Sequence, residues 1–396
     1  METLGSRLDL RRGVAEGFDF LRLFLAVSVV AWHSFDVVAG LRLDDTPIVW
    51  VFGYSILSAF FALSGFLICG SALRLSLGDF LINRGLRIVP ALALEIVLSA
   101  LVLGPIFTTL PLTDYFRSAE TWHYFTNIVG LINYTLPGVF QSHPEQTVNT
   151  SLWTVPHEIM CYVLMSILIF GKFLKRPTII VLIAAAFLSF GLLLSFSGLT
   201  DQAGGIGKIL YHLYVGPAAR LYMFFLAGIL FYLYRGKIPY SWPIFLGCTL
   251  FLLVCGFLPF SPRTDVPFAT LFLALPLTYM TIFIGVTNIW IPTFCRKGDY
   301  SYGIYLYGWP LQQVVVSMLP SIHSVMIQFL VSIPLVFCFS MISWHLVERP
   351  ILQLRKKFSF VARVRLGEAP QDGDVTLPLR GTEESAPAIR PHPVSG

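Results

Sequence analysis

Apolar residues in this chain come in blocks of about 20, the length a helix needs to cross a hydrocarbon core roughly 30 Å thick. Short polar segments separate the blocks. The pattern predicts ten helices, near residues 18–38, 48–73, 88–110, 150–171, 177–197, 209–234, 241–259, 267–288, 300–319 and 324–347. Gly and Pro interrupt the fifth through eighth. Pro217, Pro243 and Pro276 need not break their spans, because membrane helices tolerate proline. The expected fold class is therefore all-α, a polytopic membrane protein with about ten transmembrane helices.

Composition sharpens this. Charged residues are 12% of the chain and hydrophobic residues 56%, against about 25% charged in soluble domains. There is too little charge here to cover a soluble surface. A net charge of +5 can signal nucleic-acid binding, but the Lys and Arg are scattered over short loops and report topology instead. With the N-terminus inside, the inside segments hold 21 of the 27 basic residues. The outside segments hold Arg42, Arg117, Lys208 and Arg263. That asymmetry predicts cytoplasmic N- and C-termini. Residues 1–17 are then a cytoplasmic segment before a retained first helix rather than a removed signal peptide. Residues 18–350 form the membrane domain. Residues 351–396 form a cytoplasmic tail, first basic and then too polar to bury a core. Six scattered cysteines without a C-x-x-C pair read as apolar packing residues rather than disulfide or metal ligands.

Ionisable groups inside spans are costly and raise functional hypotheses. Arg22 and His33 lie 11 residues apart on the first helix, roughly 16 Å along one face. Asp36 follows His33 by one turn, close enough to orient an imidazole. Glu158, early in the fourth helix, is expected at the depth of His33. It is either the charge partner of the imidazole, a second acid/base group, or one half of a packing ion pair with Arg220. His157 is adjacent but points about 100° away. Arg84 and Arg87 share a helix face at the inner mouth of the third span. They suit a phosphate or pyrophosphate ligand, or else serve as positive-inside anchors. The longest outside loop, 111–149, carries Asp114, Trp122, His123, Tyr124, Asn127, Asn133, Tyr134, His143 and Glu145. Such groups suit sugar recognition or an interfacial aromatic belt. No nucleotide-binding, zinc-protease or nucleophile-elbow motif is present, and no His spacing suggests a metal.

Six segments in register carry a resemblance. They are the first span with Arg22 and His33, FFALSGFLI at Phe60 to Ile68, NRGLRIVP at Asn83 to Pro90, SLWTVPHEIMCY at Ser151 to Tyr162, YSYGIYLYGWP at Tyr300 to Pro310, and HLVERP at His345 to Pro350. From Phe18 to about Pro350 the chain resembles the acyltransferase 3 family of integral membrane acyltransferases, which modify cell-surface glycans. The resemblance implies about ten helices in a bacterial cytoplasmic membrane. It implies an acyl-CoA donor, usually acetyl-CoA, arriving from the cytoplasm, with no tightly bound cofactor. It implies a glycan or lipid-linked glycan acceptor, often on the opposite side. The family's functional residues map onto His33, Arg84 and Arg87, with Arg22 and Glu158 at two further matching positions. Gly308 stands where many relatives carry histidine. The expected activity is O-acyl transfer to a carbohydrate hydroxyl, with His33, Asp36 and Glu158 at the reacting end and Arg84, Arg87 and Arg22 at the donor. His33 either takes a proton from the hydroxyl or briefly carries the acyl group. The competing expectation is a polytopic transporter or flippase that carries a sugar or lipid-linked glycan without chemistry.

Overall fold

The computed structural model describes residues 2–10, 16–40, 43, 46–200, 202, 204–258, 266–290, 292, 295 and 298–358. Arg11, Arg12, Arg42, Arg263, Arg296, Lys297 and the tail beyond residue 358 lie outside the described residues. Contacts divide the chain into Met1–Arg355, which carries the helical bundle, and Lys356–Gly396.

A helix stands at each of the ten predicted places. After the short α1 (Leu4–Leu10) come α2 (Glu16–Ala39), α3 (Val49–Ala72) and α4 (Leu77–Leu98), which a π-helical turn, Ser99–Leu103, joins to α5 (Gly104–Phe107). The short α6 (Leu112–Arg117) and α7 (Ala119–His123) follow, then α8 (Val155–Phe170), α9 (Pro177–Phe196), α10 (Ile206–Leu210) and α11 (Ala219–Tyr234). The chain ends on α12 (Trp242–Cys255), α13 (Val266–Val286), α14 (Ser301–Met318), α15 (Val325–Ser343) and α16 (Arg349–Phe358). Among the described residues, seven helices are long and apolar enough to cross a membrane, or eight if the bent pair Ile206–Val215 and Ala219–Tyr234 is one span. The chain is a multi-pass membrane protein. Two of the ten fall short of that test: α12 has 14 residues, and α14 has 18 but carries a buried polar face that includes Gln312 and Gln313.

One proline departs from expectation. Pro276 sits inside α13 and Pro243 starts α12, but Pro217 falls at a 47° break between Val215 and Ala219. Gly216 just before it is extended, with φ −69° and ψ 176°. The proline ring disfavours the helical region for its predecessor, and glycine offers no side-chain packing to oppose that.

Contacts between loops sort the helix ends into two sets. Leu4 and Gly5 donate backbone hydrogen bonds to Ile238 and Arg235, and Arg87 pairs with Asp299. At the other end Ile48 bonds Gly256, Thr109 bonds Gly138, and Gln313 bonds Glu145. These pairings are the ones the charge alternation predicts.

The core is built from close helix pairs. A Cβ on Gly65 would strike the backbone of Phe225, and one on Gly228 would strike the backbone of Ala62. The two glycines therefore let α3 and α11 pack backbone to backbone, the small-residue solution that membrane helices use where the hydrophobic effect between them is weak. Around this pair lies the largest buried cluster, including Phe224, Phe225, Tyr54 and Leu92. A second cluster joins α2 to α13 through Phe18, Leu21 and Phe283. A third joins α2, α14 and α15 through Val30, Tyr307 and Val336.

Candidate active site

Local sequence sets the elements that carry the site. Ser76 caps α4, accepting a hydrogen bond from the backbone of Asp79 at 3.1 Å while donating to its carboxylate at 2.7 Å. This fixes where the helix starts and puts Arg84 and Arg87 in its second and third turns. Asn149 caps the 3₁₀ turn Thr150–Thr154 by accepting from Ser151 at 3.0 Å. That turn feeds directly into α8, where Pro156 occupies the first turn and needs no N–H partner.

Arg22, Arg84, Arg87 and Glu158 come together. They line one cavity of about 130 Å³ with Tyr162, Tyr302 and apolar side chains of α3. Glu158 accepts a hydrogen bond from Tyr162. An ion pair of Glu158 with Arg220 is not what the packing shows. Arg220 lies over the ring of Tyr54, 4.6 Å from its centroid, and lines a different cavity from Glu158.

The arginines have a partner that motif reading missed. Asp299 Oδ2 receives Arg87 at 2.7 Å and Arg22 at 3.5 Å, and its Oδ1 accepts from Ser301 at 2.6 Å. Burial pushes this carboxyl up, but the guanidinium groups of Arg87 and Arg22 outweigh that and hold it well below the usual carboxylate range. A signal existed in the sequence: Asp299 is the sole acidic residue between Asp265 and Glu348. Arg84 differs from its neighbours. Among the described residues no carboxylate lies within ion-pair distance of it, although Tyr162 hydrogen-bonds it and the Glu158 carboxylate acts on it across the cavity; its buried Nε makes no hydrogen bond, and it lies 5.9 Å from the ring centroid of Phe80.

His33 and Asp36 sit elsewhere. They line a second cavity of about 890 Å³, together with Trp32, Trp153, His157, Arg220 and Trp309. His33 meets Trp309 edge-on, with centroids 4.9 Å apart, and its buried Nδ1 makes no hydrogen bond. His157, the neighbour of Glu158, faces this cavity and bonds Tyr222 at 2.7 Å. So adjacent residues of α8 serve two chambers, as their angular separation on a helix requires. Arg22 and His33, on one helix, likewise line different cavities.

The backbone around His33 is pinned from α14. Gln312 donates to the Val30 carbonyl at 2.9 Å and to Ser34 at 2.6 Å. Gly308 permits this approach, because a Cβ there would press into Val30. On the far side of Arg22 lies a third cavity of about 300 Å³, lined by Asp19, Arg22, Asp299 and Ser301. The three cavities thus follow one another along α2 and α14.

Of the outside-loop candidates, Tyr134 and Glu145 line the large cavity. Tyr124 and Asn127 are buried inside the loop, where the Asn127 side chain bonds both backbone groups of Asn133 at 2.6 and 2.9 Å. Trp122 is exposed and stacks on Phe125. Two further buried carboxylates also escaped notice. Glu95 of α4 holds Ser99 and Asn149 at 2.7 and 3.0 Å, and Asn149 also bonds the Leu306 carbonyl. Glu348 accepts from Ser343 at 2.9 Å. Glu95 joins three site-bearing elements and is structural in its contacts.

Comparison with known proteins agrees with this architecture. The chain matches the family described as an acyltransferase domain, acyltransferase 3, over residues 16–345. It is 29% identical over 356 residues to a protein of Shigella phage Sf6 named O-acetyl transferase, covering 85% of this chain and 95% of that one. It is 29% identical over 386 residues to Nodulation protein 10 of Rhizobium leguminosarum bv. viciae, covering 91% and 99%. No solved structure matches.

Proposed function

The chain belongs to the acyltransferase 3 family of membrane enzymes, and from that premise we propose that it moves an acetyl group from cytoplasmic acetyl-CoA to a hydroxyl of an exported or cell-surface glycan. The observation that carries this reading is the series of cavities along α2, with arginines in one and His33 in the next. All ten helices cross a bacterial cytoplasmic membrane, with both termini inside. The relative named O-acetyl transferase supports acetyl as the group moved.

Arg84 takes a phosphate of the donor, since among the described residues no carboxylate lies within ion-pair distance of its guanidinium and it lines the cavity. Arg22 and Arg87 are held in place by Asp299 and bind alongside it. A planar guanidinium grips phosphate with paired hydrogen bonds. Glu158 balances charge in this donor cavity rather than at the imidazole. The pantetheine arm rises from there toward His33. The roughly 16 Å between Arg22 and His33 suits such an extended arm.

The acceptor enters the 890 Å³ cavity. Its aromatic and polar lining, from Trp32, Trp153, Trp309 and Tyr134 to Glu145 and His157, offers stacking faces and hydrogen bonds to sugar rings. His33 removes the proton as the hydroxyl oxygen attacks the acetyl carbonyl and the thioester C–S bond breaks, the departing CoA thiolate taking up that proton; or a ring nitrogen first attacks the carbonyl, expels CoA thiolate and then passes the acetyl group to the hydroxyl. Asp36 in the same cavity stabilises the imidazolium. Incubating the protein with radiolabelled acetyl-CoA and no acceptor separates the two routes, because only the second leaves label on the protein.

A direct assay tests the reading against a carrier. Membranes holding the protein should consume acetyl-CoA when a glycan acceptor is supplied. Sugar accumulating inside vesicles without acetyl-CoA use would overturn it in favour of transport.

A further inference from the structure

Two side chains, Leu57 of α3 and Tyr305 of α14, line both the arginine cavity and the His33 cavity. Every other lining residue belongs to one of these two chambers alone. The pair therefore forms the wall between them. Anything reaching His33 from the arginine side along this route passes Leu57 and Tyr305.

Tyr305 is seated by specific contacts. Its hydroxyl donates to the Ser151 carbonyl at 2.9 Å and pairs with the Thr154 hydroxyl at 2.6 Å. Its ring meets Phe60 edge-on, with centroids 6.3 Å apart. The seat itself is rigid. Ser151 and Thr154 lie in the 3₁₀ turn capped by Asn149, and Asn149 is held in turn by Glu95 and the Leu306 carbonyl. An aromatic ring anchored at its tip by one hydroxyl swings as a unit: breaking those hydrogen bonds frees it, and remaking them closes it. Leu57 offers no polar anchor and supplies the opposing apolar face.

We propose that Leu57 and Tyr305 are the septum through which the acyl end of the donor reaches His33, and that Tyr305 sets the size of acyl group admitted. This deepens the donor and acceptor assignment above and rests on it. Tyr305 is a positioning and selecting residue, with no part in the bond-making itself. An acetyl group passes the seated ring; a longer, branched or bulky acyl chain stops beneath it.

Photo-cross-linking tests this without knowledge of the acceptor. The probe is a CoA thioester whose acyl chain ends in an alkyl diazirine, bound to the full-length protein in lipid nanodiscs, photolysed and mapped by peptide mass spectrometry. In the wild type the bulky probe should label only the arginine chamber, at residues such as Cys161, Tyr162 and Leu63. In Tyr305→Ala the label should move to Trp32, His33 or Trp153. Leu57→Ala, which opens the wall from the other side and leaves the tyrosine seat intact, should move it likewise. Label already on Trp32 or Trp153 in the wild type, or a pattern unchanged in both variants, would overturn the septum. Label that excess acetyl-CoA fails to displace would instead overturn the donor assignment, and the septum with it.

Discussion

The guanidinium groups of the arginine cavity differ in how they are held, and that difference predicts how they respond to substitution. Arg22 and Arg87 share Asp299, whereas among the described residues no carboxylate lies within ion-pair distance of Arg84. Arg84→Ala should raise the KM for acetyl-CoA roughly 10- to 100-fold, the value of one or two charge-assisted hydrogen bonds, with a smaller fall in kcat. Unchanged donor KM would reduce Arg84 to a topological anchor. Asp299 should matter for stability as well as binding. Its carboxyl is held below the ordinary range by Arg87 and Arg22 against the opposing effect of burial. A carboxylate with a lowered pKa contributes stability that is complete above its unfolded value and lost as pH falls toward its folded one. The Tm deficit of Asp299→Asn should therefore hold steady from about pH 8 to about pH 5 and shrink only below about pH 4. A deficit that vanishes near neutrality would contradict the ion-pair assignment. Asp299 was hidden from a search for charges inside spans because it lies just before α14. Glu95 lies inside the third predicted span, where a charge is open to such a search; what the sequence does not reveal is its partner Asn149, which only the folded chain brings to it.

At the scale of elements, the apolar runs located ten helices because lipid leaves backbone groups no partners outside a helix. Local backbone chemistry shaped one of them. Gly216 and Pro217 together put a 47° bend into the helix that a continuous apolar run predicts over 209–234. The depth of Glu158 follows from its place along α8, but depth says nothing of direction around the helix. Its side chain faces the arginines while His157 faces the His33 chamber. Helix contacts also give Gly308 a role that no motif revealed. It lets α14 approach α2 beside Val30, which in turn lets Gln312 hold the α2 backbone one turn before His33. Gly308→Leu should push the two helices apart, lowering kcat at least about 10-fold through a misplaced imidazole. The donor KM should stay within about twofold, since neither Gly308 nor Val30 lines the arginine cavity. Equal losses in both would mean that the packing supports the whole fold rather than the catalytic face.

The whole molecule is a set of cavities in series, walled by Arg22 and Ser301 at one step and by Leu57 and Tyr305 at the next. Loop contacts sort the helix ends into two sides, and the excess of Lys and Arg is the ground on which one of them is proposed to face the cytoplasm. A carrier would need two arrangements with a shared site open to each side in turn. An acyltransferase needs only to bring a donor from one side to a hydroxyl from the other, with a base between them. His33 is the proposed base, and it has little structural work to lose: its Nδ1 makes no hydrogen bond and its ring rests on Trp309. The most direct measurement is mass spectrometry of surface glycans from cells making the wild-type protein, the His33→Ala variant at equal membrane abundance, or neither. Acetyl esters should appear on the glycan with the wild type alone. Acetyl esters at wild-type levels in the His33→Ala cells would contradict the proposed role of His33 and the chemistry built on it.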